Sequence, residues 1–269
     1  MQPQEYISLN DLEDDFWWFA GMREISAALL DPICLPVSLN DQKEPLVVDV
    51  GCGTGANLEW LRRYTANKRI IGIDLMEDPL TFCRQRGREN LIQASATDLP
   101  VADGLADLVT SFDVLACPRG ANADEIVLNE MYRILRPGGV AFVRAAAYSW
   151  MRGEHDRATN SIRRFTLSGL SKKMTDSGFE ILRATYANTW LLPIVAMRRL
   201  VLERIGLHRG SDVKPLPPGA QWLNRALKNI LSSEARMLKN PSSKLPAGLS
   251  AICIARKPGL NSAGKPPNP

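Results

Sequence analysis

The chain has 269 residues but only two histidines, His155 and His208, and five scattered cysteines. Neither histidine has a second histidine or a cysteine at ligand spacing, so a metal centre is not expected. Cys34, Cys52, Cys83, Cys117 and Cys253 are odd in number and form no CxxC pair, which reads as reduced thiols in a cytoplasmic protein. Long apolar runs are also missing. The most apolar stretch near the end, WLLPIVAM from Trp190 to Met197, stops at Arg198-Arg199, far short of the roughly 20 residues that a membrane-spanning helix needs. The opening MQPQEYISLNDLEDDFWWF is acidic and unlike a signal peptide. Nor is there a basic stripe. The net charge of +4 is spread over isolated pairs such as Arg62-Arg63 and Lys172-Lys173, which argues against a nucleic-acid partner. No internal repeat is present.

What the sequence does contain is an alternation. Short β-branched runs at 46–50, 69–74, 90–95, 106–112 and 140–146 are separated by helical patterns at about 56–64, 77–88 and 122–136. That order predicts an α/β fold, Rossmann-like, with a mostly parallel seven-stranded sheet and helices on both faces. Arg136-Pro137-Gly138-Gly139 is expected to end the third helix and turn the chain into the next strand. A polar loop (148–165), a helix at about 167–177 and a strand at 179–187 follow. Two amphipathic helices, at about 190–205 and 220–239, flank a link containing Pro215, Pro217 and Pro218, and LSAICIARK returns to strand character. The expected organisation is one domain (1–188 and 249–257) with an N-terminal helical lid, a helical insertion or substrate cap (189–248) and a flexible tail (258–269).

The most informative stretch is LVVDVGCGTG (46–55), at the first strand-to-helix turn, where ligands bind in an open parallel sheet. Asp74 ends the second strand, 23 positions after Gly51, where a carboxylate accepts both hydroxyls of an adenosine ribose. Dinucleotide sites favour G-x-G-x-x-G for a pyrophosphate. Here the spacing is G-x-G-x-G, which suits a bulky ligand without phosphate.

In these residues the chain resembles the class I S-adenosylmethionine-dependent methyltransferases, within them the small-molecule group called type 11. The likeness runs over about 45–187, including LNEMYRILRPGGVAFV, and extends to DFWWF and LPAGLSAICIARKP. It implies S-adenosyl-L-methionine as cofactor and S-adenosyl-L-homocysteine as product. It assigns Gly51, Gly53 and Gly55 to close backbone approach, Asp49 to orienting the loop and the cofactor amine, Asp74 to the ribose, and Leu75 to the adenine. Asp98 is implied for the adenine amino group, with Leu99 beside the ring, and Phe112 and Asp113 line the cofactor and the entrance to its methyl group. Trp17 and Trp18 are read either as a lid over the pocket, with Arg23 reaching the methionine carboxylate, or as an aromatic staple holding the first helix.

Methyl transfer from a sulfonium needs an aligned nucleophile, exclusion of water and, for a hydroxyl or acidic carbon, a base. His155 in SWMRGEHDR is the candidate general base, with Glu154 and Asp156 orienting it. The alternative is a loop-ordering cluster with Arg157, Arg163 or Arg164. His208 lies in a Gly-flanked polar link and reads as solvent-exposed. Cys117-Pro118 inverts the order found in cytosine-C5 enzymes, and an N-P-P-Y type motif is missing, so a nucleobase is not the expected substrate. Tyr148, Trp150, Trp190 and Leu191 are pocket candidates. The apolar face Trp190, Leu191, Leu192, Ile194, Val195, Met197, Leu200 and Val201 is either core or the wall of a site for a lipophilic acceptor. Flanking Arg198, Arg199 and Arg204 would suit an anionic substituent or peripheral contact with a membrane surface. The expected activity is O- or C-methylation of a small lipophilic metabolite. Methylation-coupled cyclisation and a non-catalytic binding module are the alternatives.

Overall fold

In the computed structural model the described residues are 3–40, 44–65, 69–202, 215–217 and 219–259. Arg204, His208 and Pro218, and most of the tail, lie outside them. Two helices open the chain, α1 (Pro3–Leu12) and α2 (Trp17–Asn40). The order then runs β1 (Val47–Val50), α3 (Ala56–Leu61), β2 (Ile70–Asp74), α4 (Glu77–Gln85), β3 (Leu91–Gln93), β4 (Ala106–Phe112), α5 (Ala123–Ile134) and β5 (Leu135–Ala146). After these come α6 (Glu154–Ala158), α7 (Leu167–Asp176), β6 (Glu180–Ala187), α8 (Leu192–Met197), α9 (Gln221–Leu238) and β7 (Ser250–Arg256).

Among the described residues seven strands form one sheet in the order β3-β2-β1-β4-β5-β7-β6. Neighbouring pairs are parallel except those made by β7, which runs antiparallel to both β5 and β6. All four residues of β1 are buried, as expected of a central strand covered on both faces. The chain reverses its winding between β1 and β4, which makes the carboxyl ends of these strands the natural binding crevice.

Three local features differ from the sequence expectation. The Arg136–Gly139 stretch is absorbed into β5 as an irregularity rather than preceding it: Leu135 pairs with Ala106, and pairing resumes at Val140 with Leu108. Arg136 is held there by Asp107, and the Gly138 amide donates to the Lys257 carbonyl at 2.8 Å. The polar loop after β5 contains a short 3-10 turn, Ser149–Met151, and α6. Buried Asp156 organises the latter by accepting the Gly153 amide at 2.8 Å. The N-terminal segment is two helices, and Arg23 folds back on the intervening turn, donating to the carbonyls of Glu13 and Asp14, both at 2.7 Å.

The second half of the 189–248 segment is built into the body of the protein. Helix α9 lies along α2, and fully buried Leu231 sits against Gly21. Glu234, also fully buried, accepts the backbone amides of Asn188, Thr189 and Trp190 at 2.7, 2.7 and 2.9 Å. These bonds compensate the carboxylate for its lost water and fix the turn that leaves β6. A Cβ at Gly21 would lie 2.6 Å from Leu231 Cβ and Cδ1, so Gly21→Val should destabilise the protein by about 1–3 kcal/mol through overpacking. The urea midpoint measures this, and an unchanged midpoint would show that the two helices yield.

Candidate active site

The glycine turn follows β1. Gly51 and Gly53 both have positive φ, 77° and 55°, a region that side chains other than glycine rarely adopt. They differ in surroundings. A Cβ at Gly51 would strike Val114 at 2.2 Å and one at Gly55 would meet Cys83 Sγ at 2.8 Å, so both glycines are needed for packing within the protein. At Gly53 nothing lies within 4 Å, and this is the open face of the turn.

Asp49 stands beneath the turn with no exposed surface. Thr110 Oγ1 donates to its Oδ1 at 2.6 Å, while Oδ2 has no hydrogen-bond partner among the described residues. Burial raises its pKa to about 7, against the hydrogen bond from Thr110 and the positive charge of Arg144, which favour ionisation. A buried acceptor left without a donor fits an ammonium group.

Asp74 closes the crevice from β2. Its Oδ2 accepts the Gly53 amide and its Oδ1 the Met76 amide, both at 3.0 Å, and a carboxylate so engaged retains lone pairs for two hydroxyls. Burial raises its pKa and these backbone bonds oppose the rise. Leu75 is exposed beside it. Asp98 is also exposed, whereas Leu99 is buried and its amide donates to Glu130 at 2.8 Å, so Leu99 packs into the core beneath the crevice.

At the ends of β4 and β5 four residues form a stack. The Arg144 guanidinium lies 5.1 Å from the ring centres of both Trp18 and Phe112, and its Nη2 is 2.7 Å from Asp113 Oδ2. Trp18 is thereby brought to the crevice. Arg23 is near, but its terminal nitrogens serve the Glu13 and Asp14 carbonyls.

His155 is half-buried on α6. Its pKa falls to about 4, first through burial and then through the positive charge of Arg199, while Asp156 and Asp113 pull the other way. It is therefore a neutral imidazole with weak proton affinity. Glu154 pairs with Arg157, and Asp156 binds Arg164 at 2.8 and 3.0 Å, so both flanking acids order the loop. That loop is stitched to the segment after β4 through the Ile162 amide and the Ala116 carbonyl at 2.9 Å. Tyr148 stacks between Trp150 and Tyr186, and Trp150 and Trp190 are half exposed, whereas Leu191 is buried.

Several residues at the site were not among the sequence candidates. Glu13 is buried against the glycine turn, accepting from Thr54 Oγ1 at 2.5 Å and pairing with Arg86 at 3.1 Å. Arg86 also binds Asp14 and Asn10, pinning the N-terminal helices to α4. Arg144 had a legible signal: it is a single cation inside the apolar run VAFVRAA.

No group of three or more potential metal ligands occurs among the described residues, and no described helix is long and apolar enough to cross a membrane.

A seven-stranded sheet with one antiparallel strand and a glycine-acid crevice at the β1/β4 switch is the class I methyltransferase fold. Residues 48–143 match the family of methyltransferase domains. It is 32% identical over 157 residues to a fatty-acid O-methyltransferase of Mycolicibacterium smegmatis, covering 56% of this chain and 54% of that one. It is 32% identical over 124 residues to a malonyl-[acyl-carrier protein] O-methyltransferase of Pectobacterium atrosepticum, covering 42% and 47%. The chain thus spans about half the length of these curated relatives. Among solved structures, the [4+2]-cyclase SpnF shares the fold at a TM-score of 0.52 and 22% identity, over 87% of this chain and 81% of that one.

A carboxyl that titrates near 7 makes cofactor binding depend on pH. If only ionised Asp49 accepts the ammonium, S-adenosylhomocysteine affinity should fall roughly tenfold per unit as pH drops below about 7 and level off above it. Calorimetry between pH 5.5 and 8 reads this directly, and Asp49→Asn should abolish the dependence. A flat profile in the unmodified protein would mean that Asp49 does not receive the amine.

Proposed function

We propose that this protein methylates an oxygen of a small lipophilic acceptor that reaches the site already ionised, using S-adenosylmethionine. The observation that carries the cofactor half is the unpartnered buried Oδ2 of Asp49 beside the open Gly53 turn. S-adenosylmethionine supplies a methyl group on a sulfonium, a leaving group activated by its own charge. A new oxygen–carbon bond forms as the sulfur–carbon bond breaks, sulfur keeps the electron pair, and the positive and negative charges cancel.

The chain's own tasks are then alignment and exclusion of water. Asp49 and Asp74 fix the two ends of the cofactor, and the joined loops after β4 and β5 cover the transfer point. His155, neutral and weakly basic, orients the acceptor rather than removing a proton from it. Ile194 and Met197 are largely exposed on α8, which buries none of its side chains, and Trp150 and Trp190 are half exposed; in this reading the four make up an apolar rim. Such a rim suits an acyl chain, including one drawn from a membrane surface. The relatives named above, one a fatty-acid and the other a malonyl-[acyl-carrier protein] O-methyltransferase, support an ionised acyl oxygen.

The test is to incubate the protein with methyl-labelled cofactor and a lipophilic metabolite extract and to follow the label by mass spectrometry. Label should appear as an O-methyl group, and His155→Ala should lower kcat/KM by less than about tenfold, below the range of general-base catalysis. A loss of roughly 10²–10⁴ would restore His155 as the base. Label on carbon, or only on RNA or protein, would refute the acceptor class, and cofactor binding without turnover would favour a binding module.

A further inference from the structure

Arg144 is a buried cation to which the transfer chemistry assigns no task. Building on the cofactor reading above, we propose that Arg144, rather than Arg23, holds the α-carboxylate of the cofactor's methionine.

The sheet register places it there. Asp49 pairs with Thr110 and Thr110 with Phe142, and one step further toward the carboxyl ends Phe112 pairs with Arg144. Residues two apart on a strand share a face. The Thr110–Asp49 hydrogen bond and the contact of the Phe112 and Phe142 rings at 5.2 Å show that all five side chains rise from the same one. Arg144 therefore stands two strands across from Asp49 and two residues beyond its row, with Cα atoms about 12 Å apart by standard sheet spacings. A long guanidinium side chain and an amino-acid head group together span that gap.

The guanidinium is also fixed in orientation. Nε and Nη2 both meet Asp113 Oδ2, at 2.8 and 2.7 Å, and the Trp18 and Phe112 rings flank the group. Asp113 has φ 65°, a strained value for a non-glycine residue, and its amide bonds back to the Arg144 carbonyl at 2.9 Å. Strain held in place by its surroundings is a mark of a functional position. Arg23, by contrast, spends both terminal nitrogens on the turn between α1 and α2. Asp49 and Arg144 feel each other's charge, and so do Arg23 and Arg144. A zwitterionic head group satisfies this arrangement, with its ammonium on Asp49 and its carboxylate on Arg144. A carboxylate on the acceptor has the same chemistry, and the test separates the two sources.

Calorimetry with S-adenosylmethionine and with its decarboxylated form, which keeps the amine and sulfonium, measures what the carboxylate adds. The unmodified protein should prefer the carboxylate form by roughly 10–100-fold, as charge-assisted bonds would give. In Arg144→Gln that preference should shrink to about threefold or less, the two ligands being compared at pH 8 because loss of the Arg144 charge also disfavours ionised Asp49, while Arg23→Gln keeps the full preference. If the glutamine variant fails to fold, Arg144→Lys serves, since it keeps the charge but loses the fork and should reduce the preference several-fold. A preference unchanged in the Arg144 variants overturns the proposal, whether affinity for both ligands falls together or only the acceptor KM rises. So does a preference lost in Arg23→Gln alone. Failure of the unmodified protein to bind either ligand would instead defeat the cofactor reading.

Discussion

A carboxylate cut off from water carries a penalty of several kcal/mol unless paired, and Asp49 occupies such a position at the crest of the central strand. Thr110 satisfies one of its oxygens and not the other. The surrounding architecture answers that deficit without removing it. Arg144 lends positive charge from two strands away, and Asp113 and two aromatic rings hold the guanidinium in place. The glycine turn that follows is open at Gly53. The protein alone thus keeps a buried acid incompletely compensated where a cationic amine would complete it.

The N-terminal helices are held by another buried charge. Glu13 is a second buried carboxylate, answered by Thr54 of the glycine turn and Arg86 at the end of α4. Its contacts join the N-terminal helices to the turn itself. On the far side, Glu234 ties α9 to the end of β6, and Leu231 seats that helix on α2. The N-terminal helices, the sheet and α9 are therefore packed together.

The sheet was legible because its strands are short β-branched runs divided by glycine and by amphipathic stretches. β4 falls on the expected residues, and the other strands differ mainly at their ends. β5 differs most, because a proline and two glycines signal a turn locally while Arg136 and Lys257 hold the stretch in the sheet. For the site, the glycines and strand-end acids stood out because their spacing is fixed by the chain itself. The partners of those residues did not. Nothing in the sequence joins Glu13 to Thr54 or Trp18 to Arg144, since each pairing depends on the packing of distant segments. Arg23 illustrates the limit: its type and place suited an anion, and only the fold shows its donors taken by the Glu13–Asp14 turn.

The three amides that Glu234 gathers have a consequence for how such a protein diversifies. They clamp the chain as it leaves β6, and just past α8 the Arg199 side chain donates to the Met151 carbonyl at 2.8 Å, so α8 is held at both ends. Its exposed side chains make no demand on the core. Substitutions in that stretch can therefore reshape an exposed apolar surface while the crevice of Asp49 and Asp74 stays untouched.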